Sequence, residues 1–280
     1  TLESIIPGIE GPASKVLDAM RYSLFAGGKR LRPILCIAGA EAVGGKAPVV
    51  LPVACALEFI HTYSLIHDDL PVMDDDDLRR GKPTNHKVFG EALAMLAGDA
   101  LLTEAFFCMS APDISGNIEP ALLLRVIRMI ASAAGHRGMV GGQVVDIQSE
   151  GKAVDFPLVE YIHTHKTGAL IAASVASGAV LGGGDENQIE AASSYGRKVG
   201  LAFQIADDIL DIEGDSKAMG KPVGSDARKE KLTYPSVLGL DKSKEIQRQL
   251  INGAIECLES FDHRADPLRD LAIYIVERRK

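Results

Sequence analysis

The sequence predicts an all-α protein. Aromatic residues are only 5% of the chain and Trp is absent, whereas Ala and Gly (28 Gly) are abundant. Small side chains let helices approach closely. The long apolar stretches keep helical spacing, as at Val16, Leu17, Met20 and Leu24, and Gly and Pro fall between them. The 280 residues suffice for one large core or two small domains. No repeat or linker divides them, so residues 1–280 read as a single all-α domain. With 46% hydrophobic and 24% charged residues, the composition is that of a soluble globular protein. A net charge of −8 without a basic stripe argues against a nucleic-acid partner. No uninterrupted run of about 18 apolar residues is evident, so no membrane span is expected. The chain starts at Thr1. The cytoplasm is the default expectation, with a removed targeting segment ahead of Thr1 left open.

Residues 1–12 carry Pro7, Gly8, Gly11 and Pro12 and read as a loop or the remnant of an earlier helix. A helix is predicted from Ala13 to Phe25, ended by Gly27-Gly28. The next runs from Pro33 to Val43, with Pro33 in its first turn. Lys29 and Arg32 lie at its positive end, as an anion site or as a solvated basic turn. Gly44-Gly45 and Pro48 break the chain before an apolar helix from Val53 to Ile66. His61, Leu65 and Asp68 share one face of it, which makes His61 either a neighbour of the acids or a core histidine. Pro71 stops the regular helix, and a turn around it would return Asp74 to the side of Asp68.

Phe89 to Met109 reads as one long apolar helix that includes Asp99, and the loop 111–116 precedes another from Glu119 to Ala134. Gln143 and Asp146 stand at i and i+3, lining a cavity or, as favoured, bridging helices. A short helix spans Asp155 to His165, and Lys166-Thr167-Gly168 opens a small-residue stretch to Leu181. The helix from Asn187 to Ile212 carries Gln204, Asp207 and Asp211 on one face, with Asp208 beside them. Residues 215–231, with Lys221 and Lys231, read as a mobile flap, and two or three amphipathic helices follow from Tyr234 to Arg279.

Six of the ten residues from Asp68 to Asp77 are aspartate. Such crowding raises the cost of ionising each carboxylate, so cations or water must offset it. Hard oxygens without Cys or His suit Mg²⁺, which shares its coordination positions with water and phosphate oxygens. Arg79 and Arg80 follow at once, and guanidinium pairs well with phosphate. The alternative is an exposed acidic loop. A second acid cluster at Asp207, Asp208 and Asp211 weakens that alternative, because acids in an apolar helix are costly to bury unpaired. Cys36, Cys55, Cys108 and Cys257 are isolated and read as reduced thiols. His163-Thr164-His165 lacks the further ligands that zinc needs.

These residues resemble the trans-isoprenyl diphosphate synthases, the polyprenyl synthetase family, over nearly the whole chain to Arg278. Asp68-Asp69-Leu70-Pro71-Val72-Met73-Asp74 is similar to the family's first aspartate-rich motif, continued by Asp77-Leu78-Arg79-Arg80-Gly81. Gln204-Ile205-Ala206-Asp207-Asp208-Ile209-Leu210-Asp211 is similar to the second. Gly27 to Pro33 and His165 to Gly168 match two further elements. The resemblance implies a bundle of antiparallel helices around a deep central cavity, usually as a homodimer. It implies head-to-tail condensation of isopentenyl diphosphate with an allylic diphosphate, assisted by three Mg²⁺ ions, with Mn²⁺ as an alternative. Asp68, Asp74, Asp207 and Asp211 are the implied metal ligands, with Asp69 and Asp208 in support. Arg79, Lys166, Thr167, Gln204, Lys221 and Lys231 match positions around the allylic diphosphate. Lys29, Arg32, His61 and Arg80 match those around isopentenyl diphosphate.

The chemistry is consistent. Diphosphate leaves an allylic carbon only when its growing charge is neutralised by preorganised cations. The carbocation then needs a dry apolar cavity, which helices around Tyr63, Ser64, Phe106 and Ile205 would supply. No strong general base is evident, so the released diphosphate is the implied acceptor of the last proton. A terpene cyclase would lack the second motif and the Lys29/Arg32 pocket. A non-catalytic partner subunit would have lost aspartates, and a simple cation-binding module would not need His61, Arg79, Arg80 and Lys166 together. Tyr63, five residues before Asp68, and Ser64 are the positions at which the family sets product length. The aromatic ring there implies mainly a C15 product, with C20 second.

Overall fold

The computed structural model describes residues 1–6, 11–111, 118–152, 155–213 and 233–277. The described residues are helical almost throughout, apart from one two-stranded hairpin. The expected flap with Lys221 and Lys231, the final Arg278 and most of the loop 111–116 lie outside the described residues. The chain divides into two compact units, residues 1–34 with 48–123 and residues 35–47 with 124–280.

In the first unit, α1 (Leu2–Ile5) precedes α2 (Ser14–Leu24). α4 (Ala47–Asp68) begins six residues before the predicted start. Pro48, expected as a breaker, falls in its first turn, where a missing N–H is tolerated. α4 is apolar nearly all round and buries Val53, Leu57, Phe59 and Ile60 together with Glu58. The strands β1 (Leu78–Arg79) and β2 (Lys82–Pro83) pair antiparallel. The short α5 (Asn85–Phe89) precedes α6 (Glu91–Met109), which starts two residues later than the helix predicted from Phe89 to Met109. Gly90, at φ 86°, separates the two. α2 and α5 pack on α6.

In the second unit, most of α3 (Leu31–Ala42) lies against the later small-residue helix α10 (Ala169–Leu181). α3 starts two residues earlier than predicted, with the Ile34 N–H bonded to the Arg30 carbonyl at 3.1 Å. A Cβ on Gly178 would lie 1.9 Å from the Cys36 carbonyl oxygen, so the small residues here serve close helix contact. α7 (Pro120–Ala134), α8 (Met139–Ser149) and α9 (Phe156–Ile162) lead to a π-helical turn, His163–Gly168. α11 (Glu186–Glu213) packs on α10 and on α13 (Leu240–Glu256); the short α12 (Tyr234–Leu238) and the last helix α14 (Asp266–Glu277) complete the unit.

Among the described residues, two helices, α4 and α6, are long and apolar enough to cross a membrane by length and composition, although Glu58 interrupts the apolar run of the one and Asp99 and Glu104 that of the other. Most of α4 is buried within the protein, as in a soluble core helix. α6 is less covered and leaves Met95, Leu96 and Phe107 exposed.

Candidate active site

The first unit carries the first acid cluster. α4 ends at Asp68, and the Met73 N–H closes a turn onto the Leu70 carbonyl at 2.9 Å. The chain then returns, and the Asp74 N–H bonds the Asp68 carbonyl at 2.8 Å. Asp75 follows at φ 51°, its N–H bonded to the Leu70 carbonyl at 3.1 Å. The aspartates therefore separate by environment. Asp68 and Asp74 are half-buried. Asp69 is buried and accepts from Arg79 Nε at 2.8 Å and from a second guanidinium N–H. Burial pushes the Asp69 pKa up, and Arg79 opposes that rise. Arg79 also reaches Asp76 at 3.3 Å, so two carboxylates fix its plane.

The β1–β2 turn places Arg80 at φ 54° and Gly81 at φ 75°. Two successive positive φ values give the hairpin turn that suits a right-handed twist. An arginine there costs about 1–2 kcal/mol of backbone strain. Its guanidinium donates to the Gly27 carbonyl and fills the space that a Cβ on Gly28 would need. On α4, burial and then Arg32, Arg80, Arg79 and Arg30 hold the His61 pKa well below its ordinary value. The imidazole is therefore neutral at neutral pH.

Tyr63 is buried, with its ring edge against His67 at 5.7 Å between centroids and 83° between planes. Burial, and after it Asp68, pushes the Tyr63 phenol up to about 12. His67 Nε2 lies 3.0 Å from the Met95 carbonyl, in space that Gly98 leaves open. The Ser64 hydroxyl donates to the His61 carbonyl of its own helix at 3.0 Å.

The second unit carries the other cluster. The π-helical turn holds Lys166 and Thr167; such turns are frequent at functional sites. Lys166 Nζ donates to Asp146 at 2.6 Å. Gly142 permits the approach, since a Cβ there would lie 2.3 Å from the Lys166 backbone nitrogen. Thr167 Oγ1 donates to Gln204 Oε1 at 3.0 Å, and Gln204 Nε2 donates to Asp208 at 3.1 Å. The other Asp208 oxygen accepts the Tyr234 N–H at 3.0 Å and lies 3.7 Å from His163 Nε2. His163 stacks on Tyr234, 5.2 Å between centroids, and burial pushes its pKa down to about 4. His165 turns away to the Tyr161 carbonyl at 2.8 Å. Asp208 and Asp211 are each 2% exposed, whereas Asp207 is half-buried.

The favoured reading of Asp146 as a bridge holds, with Lys166 as the partner that the sequence did not name; two features escape the sequence reading, the His163–Tyr234 stack on Asp208 and an ion pair between Glu58 and Arg30. A lone acid inside the apolar run of α4 was the readable signal for the last. Among the described residues, no three His, Cys, Asp or Glu side chains are grouped so as to hold a metal ion by themselves. Half-buried hard carboxylates fit a cation that completes its shell with water and phosphate oxygens.

An all-α chain with paired carboxylates, a neutral histidine among arginines, Arg79 beside the first acid cluster and Lys166 near the second belongs to the class that ionises and joins prenyl diphosphates. Residues 13–266 match the polyprenyl synthetase family, and the chain belongs to that family. It is 55% identical to the farnesyl diphosphate synthase of Geobacillus stearothermophilus, covering 87% of this chain and 82% of that protein. It is 51% identical to the heterodimeric geranylgeranyl pyrophosphate synthase large subunit 1, chloroplastic, of Arabidopsis thaliana, covering 99% of this chain and 75% of that protein. The crystal structure of an FPP/GFPP synthase from Zymomonas mobilis superposes with a TM-score of 0.87 at 41% identity, covering 98% of this chain and 93% of that one. The protein is accordingly a short-chain trans-prenyltransferase that extends allylic diphosphates with isopentenyl diphosphate to a farnesyl or geranylgeranyl product.

Proposed function

We propose that this prenyltransferase works with Mg²⁺, makes mainly the C15 product and acts as a homodimer. The observation that carries the metal reading is the return of Asp74 to Asp68 through a 2.8 Å backbone bond, which gathers two half-buried carboxylates at the end of one helix. When bound, Mg²⁺ supplies the positive charge that stabilises the departing diphosphate. Asp68 and Asp74 in the first unit and Asp207 and Asp211 in the second would hold about three such ions, the number being taken from the family resemblance. By the family resemblance, Lys166, Thr167 and Gln204 in the second unit and Arg79 in the first are assigned to the allylic diphosphate, with Lys221 and Lys231 outside the described residues. Lys29, Arg32, Arg80 and neutral His61 bind isopentenyl diphosphate.

Tyr63, buried against His67, supports the C15 reading, and the geranylgeranyl synthases among the relatives favour C20 as the second. Leu96 and Phe107 are three turns apart and exposed on α6, and a second copy would cover that apolar face. The test is incubation with isopentenyl and geranyl diphosphates, with and without Mg²⁺, and identification of the product by mass spectrometry. Farnesyl diphosphate formed only with Mg²⁺ is expected. Equal turnover after chelation would remove the metal role, and a C20 product would overturn the length assignment. Light scattering of the purified protein tests the dimer.

A further inference from the structure

Three of four consecutive residues in the loop between α2 and α3 have positive φ: Gly27 at 99°, Gly28 at 123° and Arg30 at 53°. Glycine adopts this region freely, whereas arginine does so only when its surroundings hold it there. Arg30 is held twice. One guanidinium nitrogen donates to Glu58 of α4, and another donates to the Leu24 carbonyl at the end of α2 at 2.5 Å. Its own carbonyl accepts the first helical N–H of α3, from Ile34. The loop is fastened a third time by Arg80, which donates to the Gly27 carbonyl. Lys29 lies between these fixed points and is itself exposed.

Glu58 is 1% exposed, and its second oxygen has no hydrogen-bond partner among the described residues. A buried carboxylate of this kind is expensive unless it has a task that neutral packing would not perform. Its surroundings are strongly cationic. Arg30, Arg32, Arg79 and Arg80 all act on the neighbouring His61. Glu58 opposes this positive field and raises the Arg80 pKa against the lowering by burial and by the other arginines.

We propose that Glu58 and Arg30 are a positioning pair. Arg30 is a fastener rather than a ligand, and Glu58 is the built-in counter-charge that holds the loop in its strained form before isopentenyl diphosphate arrives. The pair presents Lys29 and Arg32 in binding geometry, so that ordering the loop is not charged against substrate affinity. The inference rests on Lys29 and Arg32 being the isopentenyl diphosphate residues, and the experiment separates the two.

KM for isopentenyl diphosphate and for geranyl diphosphate is measured for wild type, Glu58→Gln, Arg30→Met, the double variant and Lys29→Ala. Glu58→Gln and Arg30→Met are each expected to raise KM for isopentenyl diphosphate about ten-fold, as for a lost charged hydrogen bond. KM for geranyl diphosphate is expected to move less than about two-fold, because a positioning role is confined to one substrate. The double variant should be no worse than the worse single, since either change breaks the same pair. Glu58→Asp should recover part of the loss. Parallel rises in both KM values, additive effects, or no rise would overturn the proposal. If Glu58→Gln does not fold, Arg30→Met at a partly exposed side chain decides alone. If Lys29→Ala leaves KM for isopentenyl diphosphate unchanged, the substrate reading itself has failed. If Lys29→Ala raises it while the pair variants do not, only the positioning role has failed.

Discussion

The backbone N–H of Asp74 donates to the carbonyl of Asp68 at 2.8 Å, although six positions separate them. A straight helix would place these carboxylates on different faces. Pro71 ends the regular bonding, the Leu70–Met73 turn reverses the chain, and Asp75 takes a left-handed conformation to complete the return. The longer spacing thus forms a compact acid loop. Asp68→Ala and Asp74→Ala should each lower kcat by about a thousand-fold or more, because metal-assisted charge stabilisation acts in the transition state. Their melting temperatures should stay near wild type, since both side chains are half-buried and bear none of the fold's core. Near-wild-type turnover at saturating substrate would remove the proposed role.

Asp207 and Asp208 adjoin in sequence and should fail differently. Asp208 is buried and accepts from the Tyr234 N–H and Gln204 Nε2. Asp208→Ala leaves a buried backbone N–H without its acceptor, so it should cost about 1–3 kcal/mol of stability in addition to activity. Asp207→Ala should lose turnover with little change in stability. Urea unfolding of both variants decides the matter, and equal stability losses would contradict the division.

That contrast shows how far the sequence could be read. Helix existence was legible because periodicity is local, as from Val16 to Leu24. Both aspartate motifs were legible because their chemistry lies in short runs of residues. Partners were not legible. Lys166 meets Asp146 across twenty positions, and Asp208 meets the Tyr234 N–H across twenty-six. Those pairs exist only after the π-helical turn and the glycine-permitted contact at Gly142 are built. α5 was not legible because its five residues, Asn85 to Phe89, are too few to show a period; Gly90 at φ 86° separates it from α6.

The two diphosphates should respond to different lysines. Lys166→Ala should raise KM for geranyl diphosphate, and Asp146→Asn should do so less, because it leaves the ammonium but removes its 2.6 Å anchor. Lys29→Ala and Arg32→Ala should instead weaken isopentenyl diphosphate. Each lost charged hydrogen bond should cost about 1.5–3 kcal/mol. Equal effects on both substrates for all these variants would show that the assignment of pockets is wrong.

The buried His163 predicts an acid-sensitive fold. Its pKa is pushed down to about 4 by burial, below its ordinary value of 6.5. As pH falls, the unfolded chain takes up this proton first. Above about pH 6.5 the group makes no pH-dependent difference; between there and about pH 4 stability is lost at up to about 1.4 kcal/mol per pH unit. His163→Phe keeps a ring against Tyr234 and removes the titration. Denaturant unfolding at pH 7, 6 and 5 should show a shallower decline for the variant than for wild type. Parallel declines would mean that other groups set the acid limit.

Product length turns on Tyr63. A prenyl tail whose diphosphate is held at Asp68 runs back along α4, and five residues at about 1.5 Å each place Tyr63 about 7.5 Å deeper. The ring is not free to swing aside. Its edge meets His67, and His67 is held at the Met95 carbonyl in the space left by Gly98. Tyr63→Ala should therefore open the cavity and shift the product from C15 toward C20, because the void replaces a buried ring in a wall that cannot collapse freely. Gly98→Ala supplies the complementary case. Its Cβ would lie 2.1 Å from His67 Nε2, so the imidazole must move, and Tyr63 with it. Its product distribution should change without any substitution at Tyr63. Mass spectrometry of products from all three proteins decides between floors. If wild type already makes mostly C20, the stop lies deeper, and Phe106 is the candidate, because Phe107 is 69% exposed. If Tyr63→Ala still stops at C15, Tyr63 packs between helices without touching the growing chain, and another residue sets the length.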